Sequence, residues 1–160
     1  MARPRKLPRH KENPVLFPKQ PPPRECAECS ACCNVYHIDG LFPESPRWVD
    51  CYHQGERGCG IHGHPKRPPA CGGFLCMWLD GWGEEDDRPD RLGLVLDYNR
   101  ARPRIDVVES VTAIEAAPGR SDEPRARARL RELRAVLKVL LVPHGARGLD
   151  NFGHELPADF

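Results

Sequence analysis

The stretch that decides the fold reads Cys26-Ala27-Glu28-Cys29-Ser30-Ala31-Cys32-Cys33, a C-x2-C-x2-C-C pattern. Thiolates bind transition metals, and two cysteines three positions apart can chelate one ion from a tight turn. If the stretch is helical, Cys26, Cys29 and Cys33 fall within an arc of about 60°, with Cys32 about 60° farther round. All four thiols then project from one side, with no apolar residue between them. Core packing does not explain such a face, so the pattern favours metal binding.

A second group of cysteines follows, namely Cys51, Cys59, Cys71 and Cys76. It contains no second C-x2-C pair, so the repeated pair typical of a zinc ribbon is absent. Glycines flank Cys59 and follow Cys71, and they allow backbone N–H groups to approach a thiolate closely. The gaps are wide and rich in turn formers, so we expect them to bend back. The two groups should therefore share one centre or form two adjacent centres.

Two other uses of the cysteines compete with metal binding. A disulfide framework of eight cysteines allows 105 pairings, but no secretory signal precedes the cysteines. No membrane span is predicted either, because a span needs about 20 apolar residues and the longest apolar run, 136–142, contains Lys138. We therefore expect a cytoplasmic protein with reduced cysteines and no membrane partner. The second alternative is eight buried thiols with a purely structural role, which is a poor explanation for eight cysteines clustered within 51 residues.

The two cysteine blocks together resemble the C-x2-C-x2-C-C cysteine-cluster family of the YkgJ type, described as a zinc- or iron-chelating domain. The second block runs from Cys59 to Cys76 and includes an aliphatic residue, an Arg-Pro pair and a C-x4-C with an aromatic residue inside. The resemblance covers roughly residues 24–80. It implies a metal-ligand set of Cys26, Cys29, Cys32, Cys33, Cys59, Cys71 and Cys76, with Cys51 as the eighth ligand.

The sequence departs from the family pattern at two positions. His62 stands where the family often has tyrosine, and Gly72 stands where a basic residue commonly follows the cysteine. His62 is either an extra ligand or a surface substitution. We favour a surface position, because eight thiolates already suffice for two four-ligand sites.

Neither the metal nor the number of centres follows from the sequence. Four thiolates suit zinc and an iron–sulfur cluster equally, and eight allow one or two centres. The predicted function is metal binding, with zinc or iron, in a structural or accessory role. One alternative is an iron–sulfur-dependent redox or transferase enzyme, and another is a zinc-organised RNA- or protein-binding module. No Gly-rich phosphate loop, nucleophile elbow or H-E-x-x-H motif indicates catalysis, so an enzyme is the less favoured interpretation.

The amino-acid composition is typical of a small domain that is stabilised in part by metal. The chain has 160 residues, 39% of them hydrophobic, with 18 prolines and 14 glycines. This length suits one domain. With 24 basic and 23 acidic residues the net charge is +1, which excludes a strongly basic nucleic-acid-binding protein. Because the chain is rich in loops and its apolar core is modest, the composition predicts that metal ligation contributes to stability.

Charge and pattern divide the chain into an arm and one domain. Residues 1–25 hold seven prolines and a net charge of +5, which predicts a flexible basic arm. Residues 26–160 should form a single cysteine-cluster domain. Its parts are a metal-binding region at 26–80, a hairpin and helix at 90–143 and a tail at 144–160. The predicted fold class is α+β, a small irregular metal-knit domain with a β-hairpin and a C-terminal amphipathic helix.

The second half supplies the regular elements. Runs at Leu92–Tyr98 and Ile105–Val111, joined by a loop ending in Pro103, predict the hairpin. Ser121, followed by two acids and Pro124, predicts the start of a helix that reaches about Val142. Its apolar stripe would contain Leu130, Leu133, Leu137, Leu140 and Leu141.

A basic stripe lies beside this apolar stripe and, with the arm, is the candidate surface for a partner. It would contain Arg127, Arg131, Arg134 and Lys138. Either surface could contact RNA or an acidic protein. An ordinary solvated face is the preferred interpretation, so the partner remains unknown.

Overall fold

The computed structural model describes residues 13, 15–19, 22–26, 28–36, 47–99, 108–147, 153–157 and 159–160. The fold is α+β, as predicted. The four helices of this part are α1 (Ala31–Val35), α2 (Pro69–Gly73), α3 (Pro89–Leu92) and α4 (Pro124–Arg134). Its strands are β1 (Gln54–Gly55), β2 (Gly58–Cys59), β3 (Leu94–Asn99), β4 (Ser110–Glu115), β5 (Lys138–Val142) and β6 (His154–Glu155). Single 3-10 turns lie at Glu85–Asp87 and Arg120–Asp122.

A four-stranded mixed sheet carries the second half of the chain, in the order β3-β4-β5-β6. Strands β3 and β4 are antiparallel, with Leu94 opposite Glu115. Strands β4 and β5 are parallel, with Val111 opposite Val139, and β6 then pairs antiparallel with β5. A parallel pair needs a crossover connection, which α4 provides. A separate two-stranded ribbon, β1 with β2, lies in the cysteine-rich region.

The predicted hairpin is present, but its second strand lies later than expected. The strand begins at Ser110 and ends at Glu115, whereas 105–111 was predicted, and residues 100–107 lie outside the described residues. A buried carboxylate ends this strand, which the alternation of apolar residues did not indicate. The Glu115 carboxylate accepts hydrogen bonds from the Ser121 amide at 2.8 Å, the Ser121 hydroxyl at 2.6 Å and the His144 amide at 3.1 Å. Those donors offset the cost of burying the charge.

The prediction of one helix from Ser121 to Val142 is wrong at both ends. The helix α4 begins at Pro124 after Glu123 as N-cap, and Ser121 instead binds Glu115. The helix ends at Arg134, and the run that begins at Lys138 is strand β5. Val139 and Val142 of this run are β-branched and favour extended backbone. The free edge of β4 then supplies the backbone hydrogen bonds that a longer helix would have made internally.

The sheet separates two apolar clusters. Successive side chains of a strand point to opposite faces, and along β3 Leu94 and Leu96 belong to one cluster while Val95 belongs to the other. The first cluster contains Leu130 and Leu133 of α4. The second contains Val35 of α1, Trp78 and Cys76. The sheet therefore presents one face to α4 and the other to the cysteine-rich region.

Parts of the predicted arm are docked on the domain. Leu16 and Phe17 are buried in the α4-side cluster, and the Phe17 ring packs edge-on against Tyr98 at a centroid distance of 5.3 Å. Arg24 lies over the Trp78 ring at 4.8 Å and donates hydrogen bonds to the carbonyls of Trp78, Trp82 and Gly83. The apolar and guanidinium groups at these positions thus have partners in the domain that the local sequence does not reveal, and the flexibility of the arm stays a prediction.

The turn before α3 is anchored on α4 by the buried Asp87. Its carboxylate accepts hydrogen bonds from the Glu84 amide at 2.7 Å, from Arg129 at 2.7 and 3.0 Å, and from Arg125 at 3.0 Å. Burial alone would raise the pKa of Asp87, but the bonds from Arg129 and Glu84 together bring it below its usual value.

We expect Asp87→Asn to lower the unfolding free energy by about 2–3 kcal/mol near neutral pH, because charge-assisted hydrogen bonds are lost. A carboxylate with a lowered folded pKa stabilises the fold above its unfolded pKa, and this contribution is lost as the pH falls through the folded pKa. The difference between wild type and variant should therefore shrink below about pH 4. Urea unfolding at pH 7 and pH 3 measures it. The exposed neighbour Asp86 provides the control, Asp86→Asn, which should change stability little at either pH.

Candidate metal centre

All eight cysteines line one cavity of about 230 Å³. They reach it from separate places in the chain: the turn before α1, α1 itself, the loop before β1, the end of β2, α2 and the segment after α2. The cysteines concerned are Cys26, Cys29, Cys32, Cys33, Cys51, Cys59, Cys71 and Cys76. The sequence predicted the members of this group. The sequence also predicted that the two blocks would meet, and in the fold both open into the same cavity.

The first cysteine block is a turn followed by a short helix, not one continuous helix. The Cys29 amide donates to the Cys26 carbonyl at 2.7 Å, which closes a tight turn, and α1 begins only at Ala31. Cys32 and Cys33 therefore lie on the helix, and Cys26 and Cys29 precede it. The expected single helical face of four thiols is wrong, yet the turn and helix still bring all four to the cavity.

Backbone amides near two of the sulfurs lower the pKa values of those cysteines. The Ala31 N–H acts on the Cys29 sulfur, and the N–H groups of Leu79 and Trp78 act on the Cys76 sulfur. An N–H group beside a sulfur favours the thiolate over the thiol.

Burial nevertheless favours the protonated form of several of these thiols. It raises the pKa of Cys26, Cys29 and Cys71, and it raises the pKa of Cys76 to about 12. Removing a charge from water is costly, so a buried sulfur retains its proton unless a cation replaces it. Metal binding at this cavity would therefore release protons.

The adjacent cysteines of α1 behave as a pair. The hydrogen bond between them raises the pKa of Cys32, whose S–H donates, and lowers the pKa of Cys33, whose sulfur accepts. The positive charge of Arg67 also lowers the pKa of Cys33. One sulfur of the pair is thus the more readily ionised.

The two cysteine blocks influence each other electrostatically. The charge on Cys59 raises the pKa of Cys26, and the charge on Cys33 raises the pKa of Cys71. The pKa of Cys76 is raised in the same way by Cys26, and by Cys29 as well. Thiols of the first block thus lie close enough to those of the second for their charges to interact.

The donors line the cavity without enclosing an ion. Over the described ranges, no three side chains of His, Cys, Asp or Glu already stand where they could hold one metal ion. All eight cysteines are free thiols. Binding of a single ion would require the sulfurs to draw together, and the sharing of one coordination sphere by both blocks stays a prediction.

Aromatic and aliphatic side chains complete the walls. Tyr36 and Phe74 pack with ring centroids 4.7 Å apart, and the Tyr36 hydroxyl donates to Asp97 at 3.1 Å. Trp78 and Leu79 also line the cavity. These walls are largely apolar, and electrostatic interactions are stronger beside apolar groups than in water.

Histidine and arginine residues at the cavity escaped the sequence analysis. His53 lines it and His62 does not; His62 is exposed, in agreement with a surface substitution. Arg67 lines it as well. The Arg-Pro pair was noted as part of the second block, but nothing in the local sequence indicates that this side chain faces thiols of both blocks.

The predicted basic stripe does not form one helical face. Lys138 lies on β5 and pairs with Glu155 at 2.9 Å. Arg127 pairs with Asp122 at 3.5 Å and lies over the Phe160 ring, and Arg131 donates to the Phe160 carbonyl at 2.8 Å. These basic side chains form ion pairs and hydrogen bonds within the same chain, so the predicted stripe gives no support to an RNA-binding surface.

Comparison with known proteins gives one short similarity. No family model matches the chain, and no solved structure matches it. A UPF0153 protein of Pseudomonas aeruginosa is 40% identical over 53 residues, which are 30% of this chain and 63% of that protein. The chain thus spans less than two thirds of that relative. UPF0153 proteins are of the YkgJ cysteine-cluster type, so the similarity supports the family resemblance over a short stretch. Among the residues that the structure describes, no helix has the length and apolar character needed to cross a bilayer.

Proposed function

We propose that this protein binds a transition metal, zinc or iron, through the cysteines of the cavity. The observation that carries the proposal is that eight thiols from two sequence blocks line a single cavity. Thiolate is the donor that both zinc and iron–sulfur centres prefer. Buried structural thiols alone would not explain why cysteines from both blocks gather at one cavity.

The donor set fits one or two four-thiolate centres. The ligands would be Cys26, Cys29, Cys32, Cys33, Cys51, Cys59, Cys71 and Cys76. Because the cavity is common to both blocks, two centres would be neighbours. When bound, the metal would crosslink the turn before α1 to the loop, ribbon and helix that carry the second block.

A structural or accessory role is the function this site supports best. A catalytic zinc keeps an open coordination position for water or substrate, whereas four cysteines close the coordination shell. Eight thiolates can close two shells completely. Free thiols as metal ligands also require a reducing compartment such as the cytoplasm.

Metal analysis of protein purified without oxygen tests the proposal. We expect zinc or iron at one or more equivalents per chain, and a visible charge-transfer band if the iron is in a sulfur cluster. The double variant Cys33→Ser/Cys71→Ser should contain less metal, because each block loses a ligand. Val15→Ala, at a side chain 73% exposed, is the control and should retain the full content. Wild-type protein that contains no metal, and takes up neither zinc nor iron and sulfide after reduction, would contradict the proposal.

A further inference from the structure

Arg67 occupies a special position in the cavity wall. It follows a turn closed by the hydrogen bond from its own amide to the His64 carbonyl at 2.9 Å, and it precedes α2. Its side chain lines the cavity. The Nε atom is shielded from solvent and has no hydrogen-bond partner within the described part of the chain. A buried N–H without an acceptor is costly and usually has a reason.

The charge of Arg67 acts on thiols of both blocks. It lowers the pKa of Cys33 in the first block, and it partly offsets the burial that raises the pKa of Cys26 in the first block and of Cys71 in the second. Among the described residues, none of the ion pairs involves Arg67, and no other Arg or Lys lines the cavity. The guanidinium thus shares the cavity wall with the thiols, and no carboxylate of the described residues neutralises it.

A thiolate metal centre would leave an uncompensated negative charge in this cavity. Four thiolates outweigh the charge of one divalent ion by two, and an iron–sulfur cluster held by four thiolates is likewise anionic. Aromatic and aliphatic walls around the cavity disfavour such a charge unless a cation accompanies it. Arg67 is permanently charged and has donors to spare.

We infer that Arg67 is the counter-cation that balances the charge of the metal–thiolate centre, with its unpaired Nε–H available to a ligand sulfur. The inference rests on the proposed function. It assigns to this side chain a task distinct from ligation, namely balancing the charge of the loaded cavity. Its loss should therefore weaken metal binding more than it weakens the metal-free fold.

The test uses Co²⁺ as the probe, because cobalt bound by thiolates has charge-transfer and ligand-field bands that report its ligands. The dissociation constant is measured by chelator competition for wild type, Arg67→Gln, Arg67→Lys and Arg57→Gln. Arg57 is an exposed arginine between β1 and β2 and supplies the matched control. We expect Arg67→Gln to bind Co²⁺ about 10- to 100-fold more weakly, as is usual when a partner of metal ligands is removed. Arg67→Lys should recover most of the loss, and Arg57→Gln should match wild type.

Thermal unfolding of the metal-free proteins separates charge balance from a purely structural role. The inference expects metal-free Arg67→Gln to melt close to wild type, with an unchanged ligand-field spectrum once Co²⁺ is saturating. Equal Co²⁺ affinity of wild type and Arg67→Gln would overturn the inference and leave the proposed function intact. If Arg67→Gln lowers the metal-free melting temperature as clearly as it weakens Co²⁺ binding, and Arg67→Lys restores neither, the side chain acts through packing and the inference is overturned. Wild type that binds no Co²⁺ would overturn both proposals.

Discussion

Loading the reduced protein with zinc is expected to raise its melting temperature strongly, and Cys71→Ser is expected to remove most of that increase. A ligand that binds only the folded state adds about 4 kcal/mol of stability at a free concentration about 1,000 times the dissociation constant. For a chain of this size that is a rise of about 8–16 °C. Cys71 belongs to the second block, and its pKa is raised by burial and, to a smaller extent, by charges on Cys33 of the first block and Cys51 of the second, so its loss should disrupt ligation across both blocks.

The metal-free proteins are the control for this experiment. Without metal, Cys71→Ser exchanges one half-buried side chain for another of similar size, so its melting temperature should lie close to that of wild type. Differential scanning calorimetry in the presence of a phosphine reductant gives the melting temperatures of wild type and Cys71→Ser, each with and without zinc. If zinc leaves the wild-type melting temperature unchanged, or if Cys71→Ser is stabilised as much as wild type, the metal centre is not structural.

Phe17→Ala is expected to lower the unfolding free energy by about 3 kcal/mol, although Phe17 lies in the segment that the sequence predicts to be an arm. Truncating a buried phenylalanine to alanine costs about 3–5 kcal/mol in a core, and Phe17 is only 5% exposed and packs against Tyr98. The lower end applies because a docked segment can partly close the gap. The melting temperature should fall by about 6–12 °C.

Val15→Ala tests the same segment two positions away. Val15 is 73% exposed, so its truncation should change stability by no more than about 0.5 kcal/mol. Guanidinium unfolding of wild type and both variants gives the comparison. A Phe17→Ala protein as stable as wild type would show that the segment adds nothing to the core and that the predicted flexible arm was correct in energetic terms.

The chemistry of the cysteine blocks was accessible from the sequence, since it depends on residue type and short spacing. A thiolate binds metal whatever the fold, and two cysteines three positions apart can always face one ion across a turn. The first strand of the hairpin was accessible for the same reason, because a β-rich run carries most of its information locally, whereas the second strand begins at Ser110 and not at Ile105. Local signals also predicted a helix start near Pro124, but they assigned the cap to Ser121 instead of Glu123.

Where the local sequence allows either a helix or a strand, contacts with distant parts of the chain decide which one forms. The run 136–142 contains leucines that suit a helix and valines that suit a strand. Its residues 138–142 form β5 because β4, which pairs with β3 along one edge, offers its other edge to this run. Propensity is a weak prior that tertiary contacts override.

The sequence by itself determined that this is a small α+β, cysteine-rich protein with thiols suited to metal, because identity and near-neighbour spacing are local properties. Only the tertiary structure decided that Phe17 joins the core and that Arg67 lines the cavity into which both cysteine blocks open. These are contacts between residues far apart in the chain. Their free energy arises from burial and charge that appear only when the distant segments meet, so no local pattern can encode them.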